Sequence, residues 1–194
     1  MTKKTPRKQL ILEALASELE RNPGVRITTA SLAQACGISE AALYRHFASK
    51  AKMFEGLIGF AEETVFARIN QILEEDKDTR SRSAKVLYLM LAFADRNPGI
   101  TRVLLGDALV GETERLHLRV EQFFSRLETQ FRQILREARM REGGDAGSAE
   151  TGAGMMLALV EGRMHQFLRT RFRVSPLEDW EDQWGLLERA LFSG

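Results

Sequence analysis

Phe54, Leu57, Ile58, Ala61, Val65, Ile69 and Ile72 recur at intervals of three and four residues. Such spacing puts them on one face of a long helix and off any strand, where apolar residues alternate every second position. No stretch of the 194 residues shows that two-residue alternation. The chain therefore reads as all-α throughout. Two Asn-Pro-Gly triplets, at 22–24 and 97–99, punctuate it as helix stops.

The spacing predicts a first helix over 7–21, with Leu10, Ile11, Ala14, Leu15 and Leu19 on its inner face. A second follows Thr28 and reaches about Cys36. A third is capped by Ser39 and runs to Phe47. The fourth, capped by Ser49, carries the long stripe, and the polar run 74–82 ends it. Helix 83–96 is apolar on nearly all sides and should be central to the body. A short helix around 101–109 comes next. A long one over 112–141 buries Leu116, Val120, Phe124, Leu127, Phe131, Ile134 and Ala138. The Gly-rich stretch 142–148 reads as a flexible connection, and helices over 150–171 and 177–192 close the chain. The expected organisation is a small domain over 1–52 and a helical body over 53–194.

Net charge is +1, but residues 1–52 carry nine basic and four acidic side chains, so the remainder is acidic. A basic head on an acidic body suits a polyanionic partner, or is a solvated tail. The single cysteine, Cys36, rules out an internal disulfide and reads as filler in a small core. No apolar run is long enough to span a bilayer, and no secretory signal pattern follows the basic start, so a cytoplasmic protein is expected. His46, His117 and His165 lie far apart and form no metal-ligand pattern. There is no P-loop, GxGxxG or nucleophile elbow. Neither an enzyme nor a cofactor is expected.

Segment 27–47 has the spacing of a helix-turn-helix. Ala33 is small where two helices cross, and Gly37, four residues on, makes the turn at little cost in backbone strain. With Leu43 and Phe47 facing inward, Glu40, Ala41, Tyr44 and Arg45 face out. Arg45 has the fork to bridge guanine O6 and N7, or it holds phosphate. Ala41 permits contact with a thymine methyl. Tyr44, His46, Thr28 and Thr29 suit phosphates, with Ser39 at the helix start and Lys50 just beyond adding charge. Glu40 either accepts from cytosine N4 or favours the helix N-terminus.

Residues 27–50, from the Thr-Thr start to Leu43-Tyr44-Arg45-His46-Phe47, resemble the DNA-binding head of TetR-type regulators. Segments 39–47, 67–70, 96–102 and 136–143 are similar to the SlmA family of nucleoid occlusion factors within that group. The resemblance implies a TetR-like fold and a homodimer on palindromic chromosomal sites, one or two dimers to a site. It also implies association with the nucleoid and antagonism of the division protein FtsZ without enzymatic chemistry. By the same resemblance the FtsZ C-terminal tail docks at Phe60, Arg68, Leu89, Ala92, Arg96 and Asn97. Ala92 stands where the family carries glycine, which adds a methyl there.

Spacing points to the same region. Phe60, Thr64 and Arg68 lie in line on one helix flank; Lys85, Leu89, Ala92 and Arg96 lie in line on another. Either this is an apolar groove with cations at its rim or an ordinary core edge. Gly154, Ala158 and Gly162, with the stripe Trp180, Trp184, Leu187 and Leu191, suit a dimer surface or a core. The other function the chain suits is a ligand-responsive TetR-type repressor, with helix 83–96 and residues 123–131 around a pocket. An adaptor with a vestigial head is a further alternative.

Overall fold

The computed structural model describes residues 6–142 and 147–192. The basic arm over 1–5 and the central part of the Gly-rich connection, 143–146, lie outside the described residues. Among the described residues the regular elements are all helical: α1 (Arg7–Arg21), α2 (Thr29–Ala35), α3 (Glu40–Tyr44), α4 (Lys50–Glu75), α5 (Thr79–Arg96), α6 (Pro98–Leu104), α7 (Glu114–Glu142), α8 (Gly147–Arg169) and α9 (Trp180–Phe192), with a 3-10 turn at Asp107–Leu109. The chain folds into two compact units, Met1–Glu62 with Asn97–Val120, and Glu63–Arg96 with Glu121–Gly194. Helices α4 and α7 contribute residues to both.

In the first unit α1 buries Ile11, Leu15 and Leu19, whereas Leu10 is 41% exposed. Helix α6 lies hard against it. A Cβ on Gly99 would sit 2.0 Å from the Ala16 carbonyl oxygen, so only glycine lets the backbones approach this far. The second Asn-Pro-Gly triplet thus starts a helix as well as stopping one, with Pro98 in the first turn where its missing N–H costs nothing.

Arg102 is almost wholly buried. Its Nη1 donates to the carbonyls of Leu19 and Asn22, both at 2.8 Å, and Nη2 donates to Val25 at 3.4 Å. Its Nε donates to Asp107 Oδ2 at 2.5 Å. One guanidinium therefore satisfies carbonyls at the end of α1 and in the turn beyond, where a helix leaves acceptors unpaired.

In the second unit α5 is covered on most sides, burying Val86, Leu87, Met90, Leu91 and Phe93 among others. It begins at Thr79, earlier than the polar run suggested: Asp78 caps it, its Oδ1 accepting from Ser81 N at 2.7 Å, and within the run Arg82 is buried. That side chain donates Nη2 to Leu73 O and Nε to Asp76 O, both at 2.6 Å, closing the end of α4. It also pairs with Glu137 at 2.6 Å. The residues expected to face inward from α4 and α7 are all buried.

Phe66 meets Phe123 edge to face, with centroids 5.3 Å apart, and Phe124 packs on Phe123 at 5.4 Å. With Phe123 and Phe131 fully buried, this aromatic region is packed core. Helix α9 starts at Trp180, three residues later than expected. Arg171, Phe172 and Asp179 all have positive φ, which ends α8 early and delays α9.

Candidate nucleic-acid interface and body groove

Helix α2 opens with a reciprocal cap. Thr28 Oγ1 accepts from Ser31 N at 3.1 Å, and Thr28 N donates to Ser31 Oγ at 3.2 Å. At its other end Ile38 N donates to Ala33 O and Gly37 N to Gln34 O, both at 3.0 Å, with Gly37 at φ +64°. That is a complete Schellman closure, and it sets the turn of the helix-turn-helix. Ala33 is buried at the crossing. Ser39 then caps α3, accepting from Ala42 N at 3.2 Å.

α3 ends at Tyr44, not Phe47; the chain continues as a turn, with Phe47 N still donating to Leu43 O at 3.1 Å. Leu43 is fully buried, which turns Ala41, Tyr44 and Arg45 outward. Tyr44 is 46% exposed. His46 is half-buried, as is Phe47, whose ring carries Lys8 Nζ 5.8 Å from its centroid. Thr28 and Ser39 are exposed.

Two charged side chains are engaged within the protein. Glu40 Oε2 accepts from Thr29 Oγ1 at 2.6 Å. Lys50 Nζ reaches Glu112 Oε1 at 2.7 Å and lies over the Phe54 ring. Arg45 makes no ion pair among the described residues, so its fork is available at the surface. Cys36 is half-buried beside a cleft of about 240 Å³ lined by Arg7, Leu10 and Ile38, and burial pushes its thiol pKa up.

The second unit carries a groove of about 440 Å³. Arg68, Leu89, Ala92 and Arg96, singled out from the sequence, all line it, together with Lys85, Tyr88 and Trp180. Cations stand at its rim. Arg68 Nη1 donates to Gln71 at 2.5 Å and Lys85 Nζ to Asp76 at 2.6 Å, while exposed Arg96 has no ion pair among the described residues. Hydrogen bonds from Lys85, Ser81 and the Asp78 amide hold the Asp76 carboxyl far below the usual carboxylate range.

Phe60, 48% exposed, and Asn97, at the start of α6, belong to the first unit. Tyr88 was not foreseen: it lies between core positions of α5, and periodicity alone does not separate a rim aromatic from a core one. Trp180, expected on a dimer surface, packs on Tyr88 with centroids 5.7 Å apart.

Residues 11–57 match the model described as bacterial regulatory proteins, tetR family; residues 77–192 match the SlmA-like model described as tetracyclin repressor-like, C-terminal domain. The chain is 53% identical over 188 residues to the nucleoid occlusion factor SlmA of Alteromonas mediterranea, covering 96% of each chain. It is also 53% identical to that of Shewanella amazonensis, over 97% of this chain and 96% of the relative.

The chain belongs to the SlmA family of TetR-type regulators.

Its fold is that of other TetR-type proteins. The ketosteroid transcriptional regulator KstR2 of Mycobacterium tuberculosis superposes with a TM-score of 0.76 at 15% identity, covering 97% of this chain and 96% of that one. As expected for a SlmA-family chain, the head is a helix-turn-helix and the body is helical. No helix among the described residues is long and apolar enough to cross a membrane.

The proposed interface residues of α8 occupy an open face. A Cβ on Gly154 or Gly162 would meet nothing within 4 Å, and Ala158 is exposed. Met155 on α8 and Leu186 on α9 are 50% and 64% exposed. Trp184 and Leu187 are half-buried.

Proposed function

We propose that this protein is a nucleoid occlusion factor. As a homodimer it binds palindromic chromosomal sites, and on DNA it engages the C-terminal tail of FtsZ and stops ring assembly over the nucleoid. It does so by binding alone, with no enzymatic step. The observation that carries the reading is an apolar groove rimmed by Arg68, Lys85 and Arg96 in a SlmA-family chain whose helix-turn-helix presents Tyr44 and Arg45 outward. An acidic-apolar peptide complements such a groove. Phe60 and Asn97 are further candidates for the tail, on the family resemblance.

On DNA, Arg45 reads a guanine edge, Ala41 admits a thymine methyl, and Tyr44, His46, Thr28 and Ser39 hold phosphates. Two heads on a twofold axis read half-sites about one helical turn apart or a multiple of it. Gly154, Ala158 and Gly162 supply the close helix contact of the dimer, flanked by Trp184 and Leu187.

The test is direct binding of a labelled FtsZ tail peptide to the full chain, compared with Arg96→Glu. The reading expects binding by the parent chain and a loss of roughly tenfold or more on charge reversal. Equal affinity in both would remove the groove from the account.

A further inference from the structure

One end of the α5 groove is walled by aromatic rings. Tyr88 on α5 is 44% exposed, and Trp180, first residue of α9, meets it at an interplanar angle of 66°. Behind Trp180, Trp184 stacks with centroids 6.1 Å apart and planes 15° from parallel. Both Tyr88 and Trp180 face the groove. Half-exposed rings on a rigid support are the side chains most often found anchoring a bound peptide, because they bury large area at little entropic cost.

Trp180 is not held there by ring contacts alone. The segment before α9 is gathered by one side chain, Arg163 of α8. Its Nε donates to Pro176 O at 3.1 Å, and its Nη2 donates to Ser175 O at 3.1 Å and Glu178 O at 2.8 Å. Gln166 Oε1 accepts from Nη1 at 2.8 Å and aims the guanidinium. Ser175 Oγ donates to Asp95 Oδ1 at 2.8 Å, which ties the same segment to the α5 side of the groove. Asp179, immediately before Trp180, sits at φ +56°, in the left-handed region that aspartate adopts more readily than most residues, and turns the chain into α9.

We propose that Tyr88 and Trp180 form an aromatic subsite that takes one apolar side chain of the docked peptide, and that Arg163 is the positioning residue that holds Trp180 in it. The proposal rests on the reading that this groove takes the FtsZ tail. Its cations attract acidic residues of the peptide; the ring pair gives the peptide's register along the groove an apolar anchor.

The experiment is calorimetry of the full chain with a synthetic FtsZ tail peptide and with copies in which each apolar residue in turn is alanine. Trp180→Ala should weaken the parent peptide about tenfold. One alanine peptide should bind the parent chain weakly and lose nothing further against Trp180→Ala, which identifies the residue in the subsite. Arg163→Ala should weaken the parent peptide yet leave that same alanine peptide unchanged, which a general loss of fold would not do. The chain has two tryptophans, so fluorescence gives a second reading. The parent peptide should shift the emission, and most of the shift should vanish in Trp180→Phe.

Additive losses for every alanine peptide would overturn the proposal. So would a Trp180→Ala chain with unchanged peptide affinity and a weakened dimer, which would assign the ring to a contact between copies. If the parent chain fails to bind the parent peptide, the FtsZ reading falls and this proposal with it.

Discussion

The hydroxyl of Thr29 donates to the carboxylate of Glu40 at 2.6 Å, joining the first residue of α2 to the first residue of α3 across the turn. From spacing alone Glu40 was equally suited to cytosine N4 and to a helix N-terminus. In the fold one of its oxygens is occupied, which ties the start of α3 to the start of α2. If that tie sets the angle at which α3 meets DNA, Glu40→Ala should weaken DNA binding about three- to tenfold, the usual net worth of a single hydrogen bond. The loss should be similar across operator variants, and Thr29→Val should reproduce it. Loss of preference at a single base pair, measured by site selection, would return Glu40 to base reading.

Arg45 and Lys50 should behave differently. Arg45 is exposed and makes no ion pair among the described residues, whereas Lys50 is held by Glu112 at 2.7 Å. Arg45→Ala should cost about 1–3 kcal/mol of DNA binding and relax specificity at one position if it bridges a guanine. Lys50→Ala should change affinity less than Arg45→Ala and leave the salt dependence nearly as it was, since its charge is already balanced. Titrations of a palindromic duplex at two salt concentrations separate the two.

Gly99 has no room for a methyl. The obstacle is the Ala16 backbone, which cannot rotate away. Gly99→Ala should lower stability by about 1–3 kcal/mol, the range for overpacking a tight core. Thermal unfolding reads it, and the first unit should be the part affected. A melting temperature equal to that of the parent would mean that α1 and α6 are further apart than described.

The hydrogen bonds on Asp76 predict that the second unit loses stability in acid. Its folded-state pKa is lowered, first by the hydrogen bond from Lys85, then by Ser81 and the Asp78 amide. A carboxyl with a depressed folded pKa contributes stability that is complete above its unfolded value, near 4, and fades as pH falls below that. Asp76→Asn should melt below the parent at pH 7, and the two curves should converge as the solution is acidified. A gap that stays constant with pH would show that Asp76 contributes by packing.

Much of this architecture is legible from spacing. The α4 and α7 stripes are buried as their periodicity requires, and the Ala33-to-Gly37 interval marks a turn whose closure is local. What spacing does not reveal are polar side chains that complete another element. Arg102 serves carbonyls some 80 residues away, and Arg82 caps α4 from within a run that looks like solvent-facing charge. Trp180 falls on a helical stripe that spacing alone gives to the dimer surface. Its ring partner within the chain, Tyr88, lies on a distant helix, and the strap that brings them together runs through Arg163. Hydrophobic period reports which face is covered, not by which side chain.

Under the proposed function, sequence-specific DNA turns this protein against FtsZ. Sedimenting FtsZ polymers with GTP in the presence of the full chain tests it in one measurement. A cognate palindromic duplex should leave much less FtsZ in the pellet than a scrambled duplex of the same length. The same amount of pelleted FtsZ with both duplexes would contradict the account.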